Sequence, residues 1–546
     1  MLGIGNMKTK IQKDNGYGIR MGDSTHSGSK GITWSRGYRW LIRIAVGMGV
    51  AALFYYFSWW SVDRRFVSPW FLFLLILAVL YSGMQLVGNW LLYLVAEHPP
   101  PPPTPPAGVS VDVFVTAYGE AYPLIKRSLA AACEMRGQHH TWLLDDGSDP
   151  TLAKLAKRLG AGYLSRTDHL YAKAGNLNHA LALTDGDIIV IFDVDHAPEP
   201  DFLERSLGHF ANQKIGFVQV MLTFQNGSQS WVARAAMETS LDFYNPTCLG
   251  AYSIGGATLM GSNALIRRSA LASVGGYQPG LAEDLASSIA LHAAKWESAY
   301  VAEPLAPGLA PPSFEAWFVQ QLKWARGVFE LLITVYPRLF RRLTWGQRLS
   351  YAVRMTKYWI GPVIGLHLFA TIIVLISGSA LVRISFHQYL IHLAPVVFLD
   401  LLIRHLSLLY WRHTSTPKTS LIHAIVLVYG TWPVYMLAWF MALIRVPLAF
   451  RLTPKSLTGR LNPVWLLPQA ITIFLLMLGG LYTVIAKDHQ PSLLLMFAVA
   501  QGFLQLLLFR KWLKSEVIGT INKPVIQGKS YDEEGIEITN AGQDLP

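Results

Sequence analysis

The stretch of sequence that decides the fold is IIVIFDVDH, at residues 188–196. Its first five residues are apolar and mostly β-branched, as in a buried strand, and polar residues follow at once: Asp193, Asp195 and His196. Other β-rich runs and helical stretches alternate before it, at residues 111–115, 123–132, 141–144 and 150–159. This alternation is typical of an α/β domain with a largely parallel sheet, and residues 109 to about 327 are long enough for one sizeable core.

The rest of the chain is far more apolar than this domain. Of the 546 residues, 52% are hydrophobic and only 15% are charged, whereas soluble proteins carry about 25% charge. This composition excludes a disordered chain, a coiled coil and an ordinary cytosolic enzyme, and it indicates a membrane protein. The net charge of +12 fits cytoplasmic membrane flanks and an anionic ligand better than a nucleic-acid groove. The two cysteines are too few to staple the fold.

Apolar runs long enough to cross about 30 Å of hydrocarbon flank the α/β domain on both sides. They are residues 41–60, 70–96, 358–381, 386–403, 421–450, 464–486 and 492–509. Basic residues before the first run, within residues 451–460 and after the last run place those segments in the cytoplasm. The run at 421–450 then begins and ends on the same side, so we expect an interfacial, re-entrant or hairpin element there and about six spans in total.

Two acidic motifs directly follow β-rich runs. Asp145 and Asp146 come after the run at 141–144, and Asp193 and Asp195 come after the run at 188–192 with His196 beside them. Open parallel sheets bind ligands at the carboxyl ends of their strands. Carboxylates spaced i, i+2 with an adjacent histidine suit one divalent cation with free positions for phosphate oxygens. Each motif taken alone also fits a solvated turn.

Three further segments carry candidate functional residues. Lys173 precedes a small-residue turn and a helix, where it can approach an anion. Glu283 and Asp284 fit either the acidic first turn of a helix or a site in which Asp284 is a general base. The sequence QQLKWARG at residues 320–327 lies in an aromatic, amphipathic stretch that also fits a helix at the membrane surface.

In this order, the motifs DDG, KAGNLN, DVDH, ED and QxxKW resemble those of the processive family 2 glycosyltransferases of the cellulose synthase type. The resemblance runs from residue 109 to about residue 327, and FRLTPK at residues 450–455 resembles the gating loop of that family. It implies an α/β GT-A-type (Rossmann-like) cytoplasmic domain inserted in an α-helical transmembrane domain of about six spans plus interface helices.

The spans and the resemblance together divide the chain into nine segments. In order, they are a basic cytoplasmic N-terminal tail (1–40), two transmembrane helices (41–96), a proline-rich linker (97–108), the GT-A domain (109–313), interface helices carrying QxxKW (314–357), two transmembrane helices (358–410), an interfacial or re-entrant segment with the gating loop (411–463), two transmembrane helices (464–509) and a cytoplasmic C-terminal tail (510–546).

The resemblance implies a role for each matching residue. Asp284 would be the general base, with Glu283 next to it. The metal ligands for Mg²⁺ or Mn²⁺ would be Asp193, Asp195 and His196. The nucleotide sugar would contact Tyr118, Glu120, Asp145, Asp146, Lys173, Asp193, Lys323 and Arg326. The acceptor at the channel mouth would contact Gln320, Trp324, Met260, Gly261 and Ser262, and the gating loop would contribute Phe450, Thr453 and Lys455.

The sequence departs from the family pattern mainly on the acceptor side. Lys323 stands where QxxRW has an arginine, which gives a point charge instead of a bidentate fork. Ala282 replaces the threonine of the common TED motif, and residues 258–263 replace an aromatic-Cys-Gly-Ser loop. These differences concern the product and its linkage more than the transfer step.

The expected function is processive, inverting transfer of a hexose from a UDP-sugar, with UDP-glucose as the first candidate, because one carboxylate base suffices for a single displacement. The product would be a β-linked polysaccharide, a β-glucan in the first instance, secreted through the chain's own channel. The expected partners are the donor, the growing polysaccharide, the lipid bilayer and accessory envelope subunits or a second copy, with no nucleic acid. The expected location is a bacterial plasma membrane, with the catalytic domain and both termini cytoplasmic. Two alternatives stay open: a membrane glycosyltransferase adding one sugar to a lipid carrier, and a non-catalytic membrane scaffold or transporter.

Overall fold

Two apolar helices begin the described part of the chain, which comprises residues 36–60, 69–377, 386–413, 416, 421–448, 462–486 and 493–521 of a computed structural model. These helices are α1 (Arg36–Trp60) and α2 (Pro69–Val95). Trp90 and Tyr93 of α2 are fully buried, and positions three apart share one face of a helix. This face of α2 therefore contacts the rest of the protein.

The α/β domain is built on a seven-stranded sheet. Its strands are β1 (Val111–Ala117), β2 (His140–Asp145), β3 (Gly162–Ser165), β4 (Ile188–Asp193), β5 (Ile215–Val220), β6 (Ala264–Arg267) and β7 (Glu297–Val301). Their order across the sheet is β3-β2-β1-β4-β6-β5-β7. All pairings are parallel except those of β6, which runs antiparallel to both β4 and β5. The expected largely parallel sheet is therefore confirmed, with one antiparallel strand that the sequence did not predict.

The strongest apolar runs form the centre of the sheet. All seven residues of β1 are buried, and so are the first five of β4. Parallel strands covered by helices on both faces are apolar throughout rather than alternating, which explains why IIVIF at 188–192 has no polar position. Because β1, β2 and β4 are parallel neighbours, the residues that follow them meet at one edge of the sheet.

Nine α-helices cover the sheet or lead from it to the membrane part of the chain. They are α3 (Tyr122–Cys133), α4 (Pro150–Arg158), α5 (Ala172–Leu183), α6 (Phe202–Ser206), α7 (Trp231–Asp242), α8 (Cys248–Ser253), α9 (Arg268–Ser273), α10 (Glu283–Ala293) and α11 (Phe314–Leu339). A π-helical turn at Phe243–Thr247, which contains Pro246, joins α7 to α8. α10 packs against α11, so the segment containing Glu283 and Asp284 lies beside the QxxKW helix.

The remaining helices are mostly apolar. They are α12 (Trp345–Thr356), α13 (Ile360–Ser377), α14 (Phe386–Trp411), α15 (Ile422–Gly430), α16 (Trp432–Leu443), α17 (Leu467–Ala486) and α18 (Leu493–Ile521). Within the described residues, five segments are long and apolar enough to cross a membrane: Gly37–Trp60, Ile76–Val95, Trp345–Ile376, His387–Trp411 and Pro463–Ile485. The bent pair α15 and α16 raises the number to six if it forms one span. The expected run at 492–509 begins outside the described residues and belongs to neither number.

The run at 421–450 is not one straight helix. Its two helices meet at Thr431 and are bent by 45° relative to each other. Pro433 lies in the first turn of α16, where the missing N–H is tolerated, although it could not continue the hydrogen-bonded ladder of α15. This geometry is compatible with the interfacial or re-entrant element expected there, while the side of the membrane stays a prediction.

The bent pair is fixed to the QxxKW helix by polar contacts. The indole Nε1 of Trp317 in α11 donates to Thr431 Oγ1 at 2.9 Å. The hydroxyl of Tyr435 in α16 donates to Gln321 Oε1, also at 2.9 Å. Both bonds are buried, so α11 and the bent pair form one packed unit between the sheet and the apolar helices.

Candidate active site

A cleft with an empty volume of about 2280 Å³ opens at the carboxyl ends of β1, β2 and β4. Its other walls come from α5, from the first turn of α10, and from α11 and α12. Thirteen residues expected at the site line it: Tyr118, Glu120, Asp146, Lys173, Asp193, Asp195, His196, Met260, Gly261, Glu283, Asp284, Gln320 and Trp324, joined by Lys323. The topology of the sheet thus brings together motifs that are far apart in the sequence.

The turn after β4 gathers three side chains that suit a divalent cation. One potential ligand atom each from Asp193, Asp195 and His196 lies within 4.8 Å of the other two. His196 is buried, and neither ring nitrogen has a hydrogen-bond partner within the described part of the chain; Nδ1 is 3.5 Å from Asp195 Oδ1. Carboxylate ligands suit Mg²⁺ and Mn²⁺, and a buried ring nitrogen without a partner supplies a further ligand atom. These residues therefore fit the expected metal.

Lys173 links the metal-type cluster to the opposite wall of the cleft. Its ammonium contacts the carboxylate of Asp193 and donates to the carbonyl oxygen of Gly261 at 2.7 Å. Burial opposes the charge, but the carboxylates of Asp193 and Glu283 outweigh burial and raise the pKa of Lys173. Thr116 Oγ1 also donates to Asp193, at 3.1 Å. Lys173 is thus a fixed cation next to the expected diphosphate site.

Glu283 and Asp284 occupy the first turn of α10 and face the cleft. Burial, followed by the charge of Asp284, raises the pKa of Glu283 to about 7, although Lys173 opposes this shift. Burial also raises the pKa of Asp284, against the charge of Arg354. The backbone N–H of Leu285 donates to Asp284 Oδ1 at 2.7 Å, which orients the carboxylate. Two neighbouring carboxyls with raised pKa values are typical of proton-transfer sites.

The two carboxylates of the DDG motif are placed differently. Asp145 is fully buried and accepts hydrogen bonds from the N–H groups of Gly147 (2.8 Å) and Asp149 (2.6 Å) and from the hydroxyl of Tyr163 (2.9 Å). It holds the turn and does not line the cleft, so its position gives no support to the expected uridine contact. Asp146 lines the cleft, with both carboxylate oxygens paired to Arg166 at 2.5 and 2.9 Å.

Arg326 also lies away from the cleft. Its Nη1 pairs with Glu330 Oε2 at 2.7 Å, and its Nη2 donates to the carbonyl oxygen of Val446 at 3.1 Å. Positions i, i+3 and i+4 share one face of a helix, so Gln320, Lys323 and Trp324 line the cleft together while position 326 points elsewhere. The expected contact of Arg326 with the nucleotide sugar is not supported by this placement.

The other expected residues differ in how they reach the cleft. The N–H of Tyr118 donates to Glu120 Oε2 at 2.6 Å, and burial raises the pKa of Glu120. Ser262 is buried, and its hydroxyl accepts from the N–H of Asp193 at 3.0 Å, so it supports the site from behind. The gating-loop residues lie outside the described part of the chain: Phe450, Thr453 and Lys455.

Four charged or titratable residues of the cleft were missed by the sequence reasoning: Arg166, His169, Arg354 and Lys357. Arg166 directly follows β3, so the rule that ligands bind at strand ends could have found it. His169 Nδ1 lies 3.3 Å from Asp146 Oδ1. Arg354 and Lys357 come from the region between the α/β domain and the next apolar helix, where no local motif marks them.

Comparison with a known family supports the fold assignment. Residues 106–327 match the model of the family described as "Glycosyltransferase like family 2". This range includes all seven strands of the sheet. Together with the mixed sheet, the match confirms the expected GT-A-type fold beside apolar helices.

The chain is also similar to curated cellulose synthases. It is 31% identical over 370 residues to cellulose synthase 1 of Komagataeibacter xylinus, covering 64% of this chain and 23% of the relative. It is 32% identical over 297 residues to the UDP-forming cellulose synthase catalytic subunit of Pseudomonas fluorescens (strain SBW25), covering 52% and 40%. The chain thus spans less than half the length of these relatives. Among solved structures, a mannosyltransferase from Pyrobaculum calidifontis in complex with GDP-Man and Mn²⁺ aligns with a TM-score of 0.47 at 17% identity, covering 68% of this chain and 99% of that one.

Proposed function

We propose that this chain, which carries a family 2 glycosyltransferase domain at residues 106–327, is a processive, inverting glycosyltransferase that polymerises a β-linked polysaccharide from a UDP-sugar. One observation carries the proposal. The cluster of Asp193, Asp195 and His196, the cation Lys173 and the carboxyl pair of α10 share one cleft. A cation, a fixed ammonium and a carboxylate base are the groups that transfer from a nucleotide sugar requires.

The donor would bind on the β1–β4 side of the cleft. Asp193, Asp195 and His196 would hold Mg²⁺ or Mn²⁺, which would neutralise charge on the departing diphosphate when bound. Lys173 already lies against Asp193, so its ammonium is in place beside the diphosphate oxygens. Asp146, held by Arg166, and the Tyr118–Glu120 turn would border the nucleotide.

The acceptor would enter from the α10–α11 side. The carboxylate of Asp284 takes the proton of the acceptor hydroxyl while its oxygen forms a bond to C1 of the donor sugar. The bond from C1 to the diphosphate oxygen breaks, UDP leaves, and the configuration at C1 inverts. Trp324 keeps 38% of its surface exposed at the cleft, so its ring is available to stack on an acceptor sugar.

A second cavity offers a path for the product. It has an empty volume of about 1350 Å³ and lies among α2, α7, α8 and α12–α14. Five residues line both the cleft and this cavity: Thr239, Phe243, Met260, Arg354 and Lys357. Arg404, which lines the cavity, pairs with Asp400 at 2.8 Å and with Asp242 at 2.9 Å. We infer that the growing chain leaves the cleft through this cavity and passes the Arg404 network.

The location and topology belong to the same proposal. The chain would lie in a bacterial plasma membrane with the catalytic domain and both termini cytoplasmic, alone, as a homo-oligomer or with accessory envelope subunits. Basic residues within 451–460 support a cytoplasmic position for that loop. A reporter fused after Lys455 should therefore show a cytoplasmic signal, and a periplasmic signal would contradict the topology.

The test of the polymerase proposal is the product itself. Membranes containing the chain are incubated with Mg²⁺ or Mn²⁺ and each of several radiolabelled UDP-sugars, and the product is sized and digested with linkage-specific glycanases. UDP-glucose should give long chains of broad length distribution that a β-glucanase degrades. One product of fixed small size that extracts with lipid would instead indicate single addition to a lipid carrier. No incorporation from any donor would contradict enzymatic function.

A further inference from the structure

Arg354 reaches the proposed base from outside the family 2 domain. It lies in α12, within the apolar segment Trp345–Ile376, and it lines both the cleft and the second cavity. Its Nη2 is 3.7 Å from Asp284 Oδ2. Its Nη1 donates to the carbonyl oxygen of Leu259 at 3.2 Å and contacts Thr258 Oγ1. The guanidinium therefore bridges the loop at 258–259 and the first turn of α10.

The surroundings of Asp284 make this contact electrostatically important. Charged and titratable groups face it from several elements: Glu283 on α10, Lys173 on α5, Arg354 on α12, Lys323 on α11, and the hydroxyls of Tyr244, Tyr277 and Tyr358. Glu283 and burial both oppose ionisation. Lys173 is already in contact with Asp193. Among the described residues, Arg354 is the cation within 4.0 Å of the Asp284 carboxylate.

We propose that Arg354 is a positioning residue for sugar transfer, which keeps Asp284 ionised and aims its carboxylate at the acceptor from the membrane side. The inference rests on the proposed function, because it assigns Asp284 as the base. The 3.7 Å separation and the side-chain exposures of 18% and 19% describe a pair that is partly shielded from water. In such a setting an opposite charge favours the ionised carboxylate much more than on an open surface.

The position of Arg354 gives the contact a second consequence. Its guanidinium lies over the ring of Phe243, 5.8 Å from the centroid, and Phe243 also lines both cavities. The α12 helix packs on α2 and α11. A change in the packing of these helices would therefore move the charge that stabilises the base. The membrane part of the chain thus contributes directly to the state of the catalytic carboxylate.

The inference is tested by the pH dependence of kcat/KM for UDP-sugar consumption, measured from about pH 5.5 to 9.5. Arg354→Met and Arg354→Gln remove the charge, and the Gln side chain still offers a hydrogen bond to Leu259. Both should move the acidic limb upward by about one to three pH units, since an opposite charge nearby shifts a carboxyl pKa by that much. Each unit lowers activity about tenfold below the limb and leaves it largely recoverable above. Arg354→Lys should keep the limb near its wild-type position.

The matched control is Arg348→Met on the same helix, because Arg348 donates to the carbonyl oxygens of Phe340 and Arg341 and does not line the cleft. It should leave the profile unchanged. UDP binding by each variant reports an intact fold, and the Gln and Lys variants decide the question if Arg354→Met does not fold. An equal loss of activity at every pH, or an unshifted limb, would overturn the inference. A wild-type chain that consumes no UDP-sugar would instead overturn the proposed function.

Discussion

Replacing Lys173 by methionine should separate binding of the donor from binding of the cation. The Lys173 ammonium contacts Asp193, a proposed metal ligand, and donates to Gly261 O at 2.7 Å. A hydrogen bond to a charged group contributes about 1.5–3 kcal/mol, so losing its contact with the diphosphate should weaken UDP binding roughly 10- to 150-fold. Removal of a positive charge beside Asp193 should at the same time strengthen binding of the cation alone.

Two titrations of the purified variant measure these opposite changes. Calorimetry with UDP in saturating Mg²⁺ gives the nucleotide affinity, and the electron paramagnetic resonance signal of free Mn²⁺ gives the cation affinity. The side chain of Asp193 keeps 37% of its surface exposed, so we expect the fold to tolerate the unpaired carboxylate. Lys154→Met, an exposed change on α4, is the control. Weaker binding of both ligands would show that Lys173 acts by holding the site together and would refute the reasoning.

Three further changes probe the carboxyl pair, the buried network and the acceptor platform. Because the pKa of Glu283 is raised to about 7, the folded chain binds more protons than the unfolded chain between its ordinary pKa and pH 7, and stability falls as the pH rises through that window; Glu283→Gln should reduce the fall in melting temperature between pH 5 and pH 8. Arg404→Met leaves Asp242 and Asp400 unpaired and should cost about 3–5 kcal/mol of stability, seen as a lower melting temperature that Asp400→Asn in the same chain partly restores. Trp324→Ala should shorten the polymer without changing UDP affinity, whereas Trp324→Phe should keep its length; equal lengths on size-exclusion chromatography would contradict the stacking role.

The sequence predicted the position of the site well, because strand ends in a parallel sheet meet at one edge. Asp146 and Asp193 follow β2 and β4, and the pairing of β1 with both strands brings them into one cleft. Nothing more than the β-rich runs and the order of the motifs was needed for this. The antiparallel strand β6 escaped prediction because it has only four residues and follows no helix-length connection.

The direction of individual side chains could not be predicted in the same way. Asp145 and Asp146 are adjacent and chemically equal, and only the turn geometry decides that the first binds the backbone of its own turn while the second faces the cleft. Arg326 belongs to the QxxKW segment but contacts Val446 of the bent-pair region, because the helix turns it away from the cleft.

The contribution of Arg354 depends on a contact between distant parts of the chain. Neither the spacing to Asp284 nor the residues around Arg354 form a motif, and an arginine at the start of an apolar segment is ordinary at a membrane boundary. Only the packing of α12 beside α10 and α11 places its guanidinium 3.7 Å from the carboxylate. Contacts of this kind require the tertiary structure.

The most direct test of the account compares release of UDP by the wild-type chain and by Asp284→Asn. Both are incubated with UDP-glucose and Mg²⁺ or Mn²⁺, and UDP binding is measured on the same preparations. The account predicts that the wild-type chain releases UDP as it lengthens the polymer, while the variant binds UDP with nearly unchanged affinity and releases almost none. Appreciable polymer and UDP from Asp284→Asn would contradict the assignment of Asp284 as the base and, with it, the proposed mechanism.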